Sequence, residues 1–246
     1  MKLSKLGFGT YDFGVKSNHI TPEQGGQILA GAFELGINFW DTSDDYGSQA
    51  HVASALRHVP RGEVVVSTKT SARSAAAAAR SLDRSLKELG TDYVDIFFLH
   101  YVEWGWVDGC RKVVKDLADV KASGRARATG LSTHSVKVAQ EASTMEGVDV
   151  VLAVCSNAKR AVLQALPENV PLEDGSMDEM LEAVHRIHRA GKGTVAMKVL
   201  GTGAPVLVKD YRSSIASVSR LRFVDALLVG MKDLEQVRKN IAAIAA

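Results

Sequence analysis

Short apolar segments alternate with amphipathic segments eight times along the chain. Several of the apolar segments, such as VVV, VDIFFL and VDALLV, are nearly continuous runs, and this pattern is typical of strands that are buried on both faces. The pattern predicts eight β-strands, over residues 5–9, 37–42, 63–68, 93–99, 126–131, 148–155, 194–199 and 223–229.

The segments between the strands carry the periodicity and the end signals of helices. Thr21 is followed by Pro22, Glu23 and Gln24, which predicts a helix that begins at residue 21 and ends near Gly36. An alanine-rich run continues into the amphipathic ARSLDRSLKEL and is interpreted as helix rather than as low-complexity sequence. The sixth and eighth helices are predicted over 178–190 and 233–245, and the longest irregular connection over 157–177.

Strands that alternate with helices form right-handed βαβ units around a parallel sheet. The chain has 246 residues, close to the roughly 250 of a barrel of eight such units. The competing fold is an open doubly wound sheet, which usually carries GxGxxG after its first strand. Here Gly7, Gly9 and Gly14 are spaced differently. The prediction is an α/β fold, a single (β/α)8 TIM barrel that takes up residues 1–246 as one domain.

Composition narrows the class of protein further. Apolar residues make up 46% and charged residues 24%, and the net charge is +2, so nothing favours a nucleic acid or a membrane surface as partner. No apolar run is longer than a strand, and the N-terminus MKLSKLGFGT lacks the apolar core of a signal peptide. Cys110 and Cys155 are far apart and are expected to be free thiols. We therefore expect a cytoplasmic protein that binds a small molecule.

Ionisable side chains gather where the predicted strands end. Asp41 closes the second strand in FWDTSDDYG, and Tyr46 follows it. Lys69 comes at the end of the third strand and His100 at the end of the fourth. In a βα barrel these strand ends lie on one face, so the four side chains are expected to meet at one mouth. The alternative is that Asp41 caps the next helix and Tyr46 packs at the base of a loop.

The four residue types suit acid catalysis. A free tyrosine has a pKa of about 10, and a neighbouring lysine ammonium lowers it by stabilising the phenolate. Asp41 would pair with Lys69 and keep its charge in place. Tyr46 would then donate a proton to a developing alkoxide, while His100 donates a second hydrogen bond to the same oxygen or relays the proton.

Longer motifs carry a resemblance to a known family. The chain resembles the aldo-keto reductases, which are NAD(P)H-dependent carbonyl reductases on a βα barrel, and the similarity spans essentially the whole chain. The resemblance implies a catalytic tetrad of Asp41, Tyr46, Lys69 and His100, with Tyr46 as the acid that helps to reduce an aldehyde or ketone to the alcohol. Two departures from the family, the lack of its C-terminal tail over the substrate pocket and of an N-terminal hairpin, suggest a compact member with an open site. The motifs are GFGTYDFG, FWDTSDDYG, VSTKT, SLKELGTDYVDIFFLH, GRARATGLSTHS, LLVGMKDLEQVRKNI and the MKVLGxG variant after the seventh strand.

The resemblance assigns the cofactor positions less completely. The family holds the nicotinamide carboxamide with a Ser–Asn pair, where this chain has Ser132 and Thr133, and with a glutamine on strand six, which here reads VLAVCSN. The usual residues for the 2′-phosphate of NADPH are replaced, and the nearby cations are Lys232 and Arg238. NADPH is expected by resemblance, and NADH stays open. The expected cofactor contacts are Gly9, Thr10, Tyr11, Ser132, Thr133, Asn157, Lys198, Leu200, Gly201, Gly203, Gly230, Met231, Lys232, Gln236, Arg238 and Asn240.

Aromatic residues at the same face form a candidate wall for the substrate. The candidates are Tyr11, Tyr101, Trp104 and Trp106. For the last three, packing of the rings onto the barrel rim is an equal alternative. No motif indicates which aldehyde or ketone is bound, or the oligomeric state.

Other classes of protein stay open. Lys198 or Lys69 could form a Schiff base with a carbonyl substrate, as in aldolases. The changed amide contacts also fit a non-catalytic relative that binds the dinucleotide and regulates a partner. Glu182, His185 and His188 recur at helical spacing, but an outer helix face without a fourth ligand favours a solvated surface over a metal site, so no metal is expected.

Overall fold

The computed structural model describes residues 2–15, 18–156, 172–200 and 211–245, and its centre is a closed barrel of eight parallel strands. Each strand pairs with the next along the chain, and β1 pairs with β8. All eight predicted strands are present with shifted ends, and the closed order excludes the open doubly wound sheet. The strands are Leu6–Gly9 (β1), Phe39–Asp41 (β2), Val65–Thr70 (β3), Val94–Leu99 (β4), Ala126–Thr133 (β5), Val150–Val154 (β6), Gly193–Met197 (β7) and Ala226–Gly230 (β8).

Helices follow the strands and cover the outside of the barrel. Among those in the described ranges, none is long and apolar enough to cross a membrane. Single-turn 3₁₀ helices lie at Arg61–Glu63 and Trp104–Trp106. The α-helices are Tyr11–Gly14 (α1), Pro22–Glu34 (α2), Gln49–Leu56 (α3), Ala75–Leu89 (α4), Val107–Asp116 (α5), Ala118–Ala122 (α6), Val136–Ala142 (α7), Met177–Arg189 (α8), Tyr211–Ser219 (α9) and Leu234–Ala245 (α10).

The helix expected at residue 21 begins as predicted. Thr21 Oγ1 accepts the backbone N–H of Gln24 at 3.3 Å, and the Gln24 side chain accepts the Thr21 N–H at 2.9 Å. This reciprocal pair satisfies two of the N–H groups that a helix end leaves unpaired. The sequence pattern does not predict the short helix α1, which lies between β1 and α2 and brings Tyr11 to the barrel mouth.

Side chains pack on both sides of the sheet. The outer layer joins the strands to the apolar faces of the helices, and a smaller cluster fills the barrel itself. Because the barrel is filled, it is a core and not a pore, and ligands are confined to its ends. The inner cluster is Phe39, Val65, Ile96, Phe98, Ala128, Val150, Leu152, Val195, Ala226 and Leu228.

Polar side chains close the N-terminal end of the barrel in a repeated way. At or directly before the start of each even-numbered strand, a side-chain oxygen accepts a backbone N–H. The N–H belongs to the preceding odd-numbered strand or, for Ser4, to the segment that leads into it. Each contact ties two neighbouring strands together below the sheet ladder, which fixes their register. The four contacts are Asn38 Oδ1 with Ser4 at 2.7 Å, Asp95 Oδ2 with Val66 at 2.9 Å, Asp149 Oδ2 with Thr129 at 2.9 Å and Asp225 Oδ2 with Thr194 at 2.7 Å.

Candidate active site

The four ionisable residues expected at the strand ends come together at the C-terminal mouth of the barrel. Asp41 is the last residue of β2, Lys69 lies one residue before the end of β3, and His100 directly follows β4. Tyr46 lies in the loop between β2 and α3. This loop folds back over the mouth, so the ring of Tyr46 lies next to the Lys69 ammonium.

Lys69 is a buried cation at the floor of the mouth, with 1% of its surface exposed. Its Nζ donates to Asp41 Oδ2 at 2.6 Å and to the Thr42 carbonyl at 2.7 Å. The other carboxylate oxygen of Asp41 accepts the Ser67 hydroxyl at 2.6 Å. Burial is the largest influence on Lys69 and lowers its pKa, but the charges of Asp41 and Tyr46 and their hydrogen bonds together outweigh it, and the net pKa is raised above its ordinary value. Lys69 is therefore charged at neutral pH.

Tyr46 lies over this cation, with Lys69 Nζ 4.6 Å from the centroid of its ring. Burial is the largest influence on the phenol and raises its pKa, while the Lys69 charge opposes it and Asp41 and Asp45 add to it. The net pKa of Tyr46 is raised above its ordinary value. The expectation that Lys69 brings this pKa below that of free tyrosine is therefore wrong, because it omitted the cost of burying a phenolate.

His100 links the Tyr46 hydroxyl to the loop that carries it. Its Nε2 is 3.5 Å from the Tyr46 hydroxyl, and the two rings meet edge to face with centroids 5.6 Å apart. On the opposite edge of the imidazole, Nδ1 is 3.3 Å from Ser43 Oγ and 3.6 Å from Asp45 Oδ2. The imidazole thus has a phenol on one side and a hydroxyl and a carboxylate on the other.

Buried hydroxyl groups hold the loop after β2 against β1. Thr10 Oγ1 donates to the Asp41 carbonyl at 2.9 Å and lies 2.8 Å from Ser48 Oγ. Thr42 Oγ1 lies 2.9 Å from the same Ser48 oxygen. All three hydroxyl residues are fully buried. Thr10, which was predicted to contact the cofactor, therefore has its hydroxyl engaged by the protein and supports the site from below.

The two residues expected at the nicotinamide differ in what they can offer. Ser132 Oγ accepts the Tyr101 N–H at 2.9 Å, which leaves its own proton for a ligand such as a carboxamide. Thr133 Oγ1 donates to the Val102 carbonyl at 2.7 Å and accepts the Ser135 N–H at 2.9 Å. Ser132 therefore fits the expected cofactor, while the Thr133 hydroxyl is used within the protein.

Glycines leave the backbone uncovered where β1 meets β8. Gly9 and Gly230 are partners in the sheet, and a methyl group on Gly9 would lie 3.5 Å from the Gly230 nitrogen. A methyl group on Gly230 would lie 2.7 Å from the Asp12 carboxylate. Without side chains at these two positions the backbone at the rim is open to close approach, which the phosphates of a dinucleotide require.

The predicted cofactor residues after β8 are divided between surface and core. Lys232 is exposed, and its Nζ donates to Asn18 Oδ1 at 3.1 Å, while Gln236 Oε1 accepts the Lys232 backbone N–H at 3.0 Å. Met231 and Asn240 are buried, so the Met231 side chain belongs to the core. Arg238 is exposed on α10. Lys232 and Arg238 are therefore accessible to solvent and to a ligand.

Lys198 directly follows β7 and has a backbone φ of 57°, in the left-handed region that side chains rarely adopt. Its pKa is lowered, first by desolvation and then by the positive charge of Lys69, with Asp12 opposing. Since Lys69 lies near the end of β3 and Lys198 follows β7, both residues belong to the same mouth of the barrel. Leu200 packs against the outer core. Three further predicted cofactor residues lie outside the described residues: Asn157, Gly201 and Gly203.

The four aromatic candidates have different surroundings. Tyr11 is 59% exposed and packs edge-on against Tyr46 with ring centroids 5.0 Å apart, which places it beside the phenol. Trp104 is 44% exposed. Trp106 is partly buried beneath the Arg73 guanidinium, 4.5 Å from its ring, so it packs the loop. Tyr101 has a φ of 53°, and its pKa is raised to about 12, first by burial and then by a neighbouring carboxylate.

Two residues outside the predicted set of site residues, Gly14 and Asp45, complete the site. A methyl group on Gly14 would lie 1.6 Å from the Tyr46 carbonyl oxygen, so α1 and the Tyr46 backbone are in direct contact. Asp45 faces His100 from the opposite side to Tyr46. The pair of aspartates before Tyr46 was a visible signal for Asp45, whereas the spacing of Gly14 gave none for its contact.

The histidines of α8 are used in packing. His185 stacks on Phe223 with ring centroids 4.9 Å apart, and His188 Nδ1 lies 3.7 Å from Asp225 Oδ1. Glu182 is exposed on the same helix. Within the described ranges, no group of three or more His, Cys, Asp or Glu residues is placed to hold a metal ion.

Sequence comparison identifies relatives over the whole length of the barrel. The profile of the Aldo/keto reductase family matches residues 5–217. L-galactose dehydrogenase of Arabidopsis thaliana is 29% identical over an alignment of 277 positions, which covers 99% of this chain and 85% of that protein. Methylglyoxal reductase DkgB of Salmonella typhi is 31% identical over 122 residues, which cover 48% of this chain and 46% of that protein.

Solved structures show the same architecture. A structure from Pseudomonas aeruginosa, described as an aldo-keto reductase, has a TM-score of 0.79 at 26% identity and covers 99% of this chain and 90% of its own. An aldo-keto reductase of Bacillus halodurans in its holo form has a TM-score of 0.76 at 20% identity, covering 99% and 87%, which supports the fold alone. Because the family profile matches most of the chain, the protein belongs to the aldo/keto reductase family, whose members bind nicotinamide cofactors.

Proposed function

We propose that the protein reduces an aldehyde or ketone of a small molecule to the alcohol, with Tyr46 as the proton donor. Family membership supports nicotinamide-dependent carbonyl chemistry in general. The observation that carries the residue assignment is the buried Lys69–Asp41 ion pair, 2.6 Å long, directly beside the ring of Tyr46. A buried ion pair adds little net stability, because the cost of removing both charges from water offsets their attraction. A catalytic role therefore explains this pair better than a stabilising one.

The protonation states suit a donor. Because burial raises the pKa of Tyr46, its phenol is protonated at neutral pH and has a proton to give. As the proton leaves, the negative charge on the phenol oxygen forms next to the Lys69 ammonium, which stabilises it. Asp41 holds that ammonium in place and keeps it charged. A general acid of this kind contributes typically about 10²–10⁴-fold to the rate.

The cofactor, when bound, supplies the hydride that the carbonyl carbon receives. Ser132 would hold the carboxamide through its hydroxyl proton, and the bare backbone at Gly9 and Gly230 would line the phosphates. We favour NADPH over NADH, with Lys232 and Arg238 as the cations for the 2′-phosphate, because both follow β8 and are exposed.

The substrate would approach past Tyr11, Tyr101 and Trp104. The names of two relatives point to L-galactose and methylglyoxal, so small hydroxylated and dicarbonyl compounds are the first substrates to test. Both cysteines are buried free thiols, which supports a reducing cytoplasmic location.

The test is an NADPH-consumption screen over aldehydes that include sugars and aromatic compounds, followed by Tyr46→Phe. This variant should bind NADPH nearly as tightly as the wild type and lose about 10²–10⁴-fold in turnover, because only the acid is removed. Tyr93→Phe is the control, because it removes the hydroxyl of a tyrosine whose ring packs against Arg61 and Arg127. Near-normal turnover of Tyr46→Phe, on a substrate whose chemical step limits the rate, would refute the assignment.

One observation favours a second candidate function. The lowered pKa of Lys198 gives an amine that is more readily neutral, and a neutral amine is the nucleophile that forms a Schiff base. Borohydride trapping of a carbonyl compound on Lys198, without NADPH consumption, would favour an aldolase-type enzyme. NADPH binding without turnover of any carbonyl compound would instead indicate a non-catalytic regulator.

A further inference from the structure

The two aspartates that precede Tyr46 point in different directions. Asp44 accepts the Ser81 hydroxyl of α4, so it fastens the loop to the outside of the barrel. Asp45 lies 3.6 Å from His100 Nδ1, with 54% of its side chain exposed. The side chains of two chemically identical neighbours therefore have different partners, and of the two side chains only that of Asp45 faces a member of the tetrad.

The imidazole of His100 is held by its two nitrogens. Nδ1 faces Asp45 and Ser43, and Nε2 faces the Tyr46 hydroxyl. The pKa of Asp45 is lowered to about 2, chiefly by its interaction with His100, with partial burial opposing and Ser43 adding. The carboxylate is therefore charged throughout the working pH range. A carboxylate beside one ring nitrogen keeps a proton there and fixes which way the other nitrogen points.

We propose that Asp45 is a positioning residue that holds His100 as the Nδ1–H tautomer, so that Nε2 returns a proton from solvent to Tyr46 after each turnover. This inference rests on the proposed function of Tyr46. In the step, the Nε2–H bond of a protonated His100 breaks and the O–H bond of Tyr46 forms. The imidazole returns to its neutral state, and solvent supplies the next proton. Asp45 stabilises the transient imidazolium by its negative charge.

The effect of Asp45 on the imidazole depends on which other charged groups lie near it. Among the described residues, the ionisable groups in contact with His100 are Asp45 and Tyr46, both from the loop after β2. Behind the Tyr46 ring lies Lys69 of β3, and its charge is balanced by Asp41 of β2. In the part of the chain that the structure describes, the full charge in contact with the imidazole is therefore that of Asp45, which makes its removal informative.

The experiment compares Asp45→Asn with Asp44→Asn, a matched pair of neighbouring exposed aspartates. Asp45→Asn should lower kcat by about 10–100-fold, by analogy with the range found when the partner that orients a metal-binding histidine is lost. Asp44→Asn should keep kcat close to that of the wild type, and Asp45→Glu should restore most of the turnover.

A second measurement does not depend on turnover. Long-range ¹H–¹⁵N correlation NMR reports which ring nitrogen of His100 carries the proton, with His100→Gln as the blank. We expect the Nδ1–H form in the wild type and a shift towards Nε2–H in Asp45→Asn. An Nε2–H tautomer in the wild type, or equal kcat values for both aspartate variants, would overturn the proposal. Failure of the wild type to reduce any carbonyl compound would reject the proposed function instead.

Discussion

Gly14 offers a test of whether the backbone of Tyr46 must be held in one place. The residue lies at the end of α1, and a methyl group there would be 1.6 Å from the Tyr46 carbonyl oxygen and 2.7 Å from its carbonyl carbon. Both atoms belong to the backbone, so no side-chain rotation relieves the overlap. Gly14→Ala should therefore push Tyr46 and α1 apart.

The size of the effect follows from the overlap. The two atoms must separate from 1.6 Å to at least 3.0 Å, which is a relative movement of about 1.4 Å. Tyr46 moves away from Lys69 and His100, or α1 moves and takes Tyr11 with it, and either movement alters the phenol's surroundings. A misplacement of about 1 Å can cost about 10²-fold in rate. We expect a loss of turnover of at least that size, with a stability cost of about 1–3 kcal/mol.

The assay measures kcat at saturating cofactor and substrate, the Kd for NADPH, and the free energy of unfolding in urea. Gly62→Ala is the control, because a methyl group on Gly62 meets no atom within 4 Å and that residue lies at the other end of the barrel. The expected signature is a large loss in kcat in a protein that remains folded. A folded Gly14→Ala enzyme with near-normal kcat would show that the placement of Tyr46 tolerates such a shift, and the geometric argument would fail.

Three further predictions concern charge. Lys69→Met should reduce the free energy of unfolding by about 3–5 kcal/mol, because it leaves the buried Asp41 carboxylate unpaired. The Asp41→Asn/Lys69→Met double variant should regain much of that stability in urea titrations while staying inactive, and a small loss in the single variant would contradict burial of the pair. Reductive turnover should persist across neutral pH and fall only as the pH rises through the raised pKa of Tyr46, since the donor must be protonated. Ultraviolet difference titration against Tyr46→Phe should find this pKa above about 10, and higher again in Lys69→Met; the same value in both proteins would mean that Lys69 does not act on the phenol. Lys232→Ala and Arg238→Ala should weaken NADPH more than NADH in measured Kd values, whereas equal losses would show that neither cation contacts the 2′-phosphate.

The residues at the strand ends could be predicted because a barrel converts sequence order into position. Asp41, Lys69 and His100 come at the ends of consecutive strands, and parallel strands bring those ends to one mouth. The apolar runs identified the strands themselves. Their exact ends were shifted, as for the third strand, which was expected over 63–68 and is Val65–Thr70.

Contacts made by loops could not be predicted in the same way. The path of the chain between β2 and α3 decides that Asp45 faces His100 while Asp44 faces Ser81, and no periodicity specifies that path. The net pKa of Tyr46 also needed the structure, because it depends on the balance of burial and charge. The contacts of Asp95, Asp149 and Asp225 could not be predicted either. Each aspartate lies in an apolar run, and such a run indicates a buried strand but not which backbone N–H the carboxylate accepts.

Buried carboxylates occur at both ends of the barrel, and the type of cation that binds each carboxylate indicates its role. At the N-terminal end Asp95 is fully buried and is bound by Arg61 at 2.8 Å and by Arg127 at 3.0 Å, and planar guanidinium groups of this kind bind carboxylates rigidly. At the mouth Asp41 is bound by the compact ammonium of Lys69. An ammonium has three donors, of which Asp41 and Thr42 take two and the third is left for the phenol. The carboxylate at the bottom therefore ends in a closed network that fixes strands, whereas the one at the mouth holds a charge that can respond as a phenolate forms.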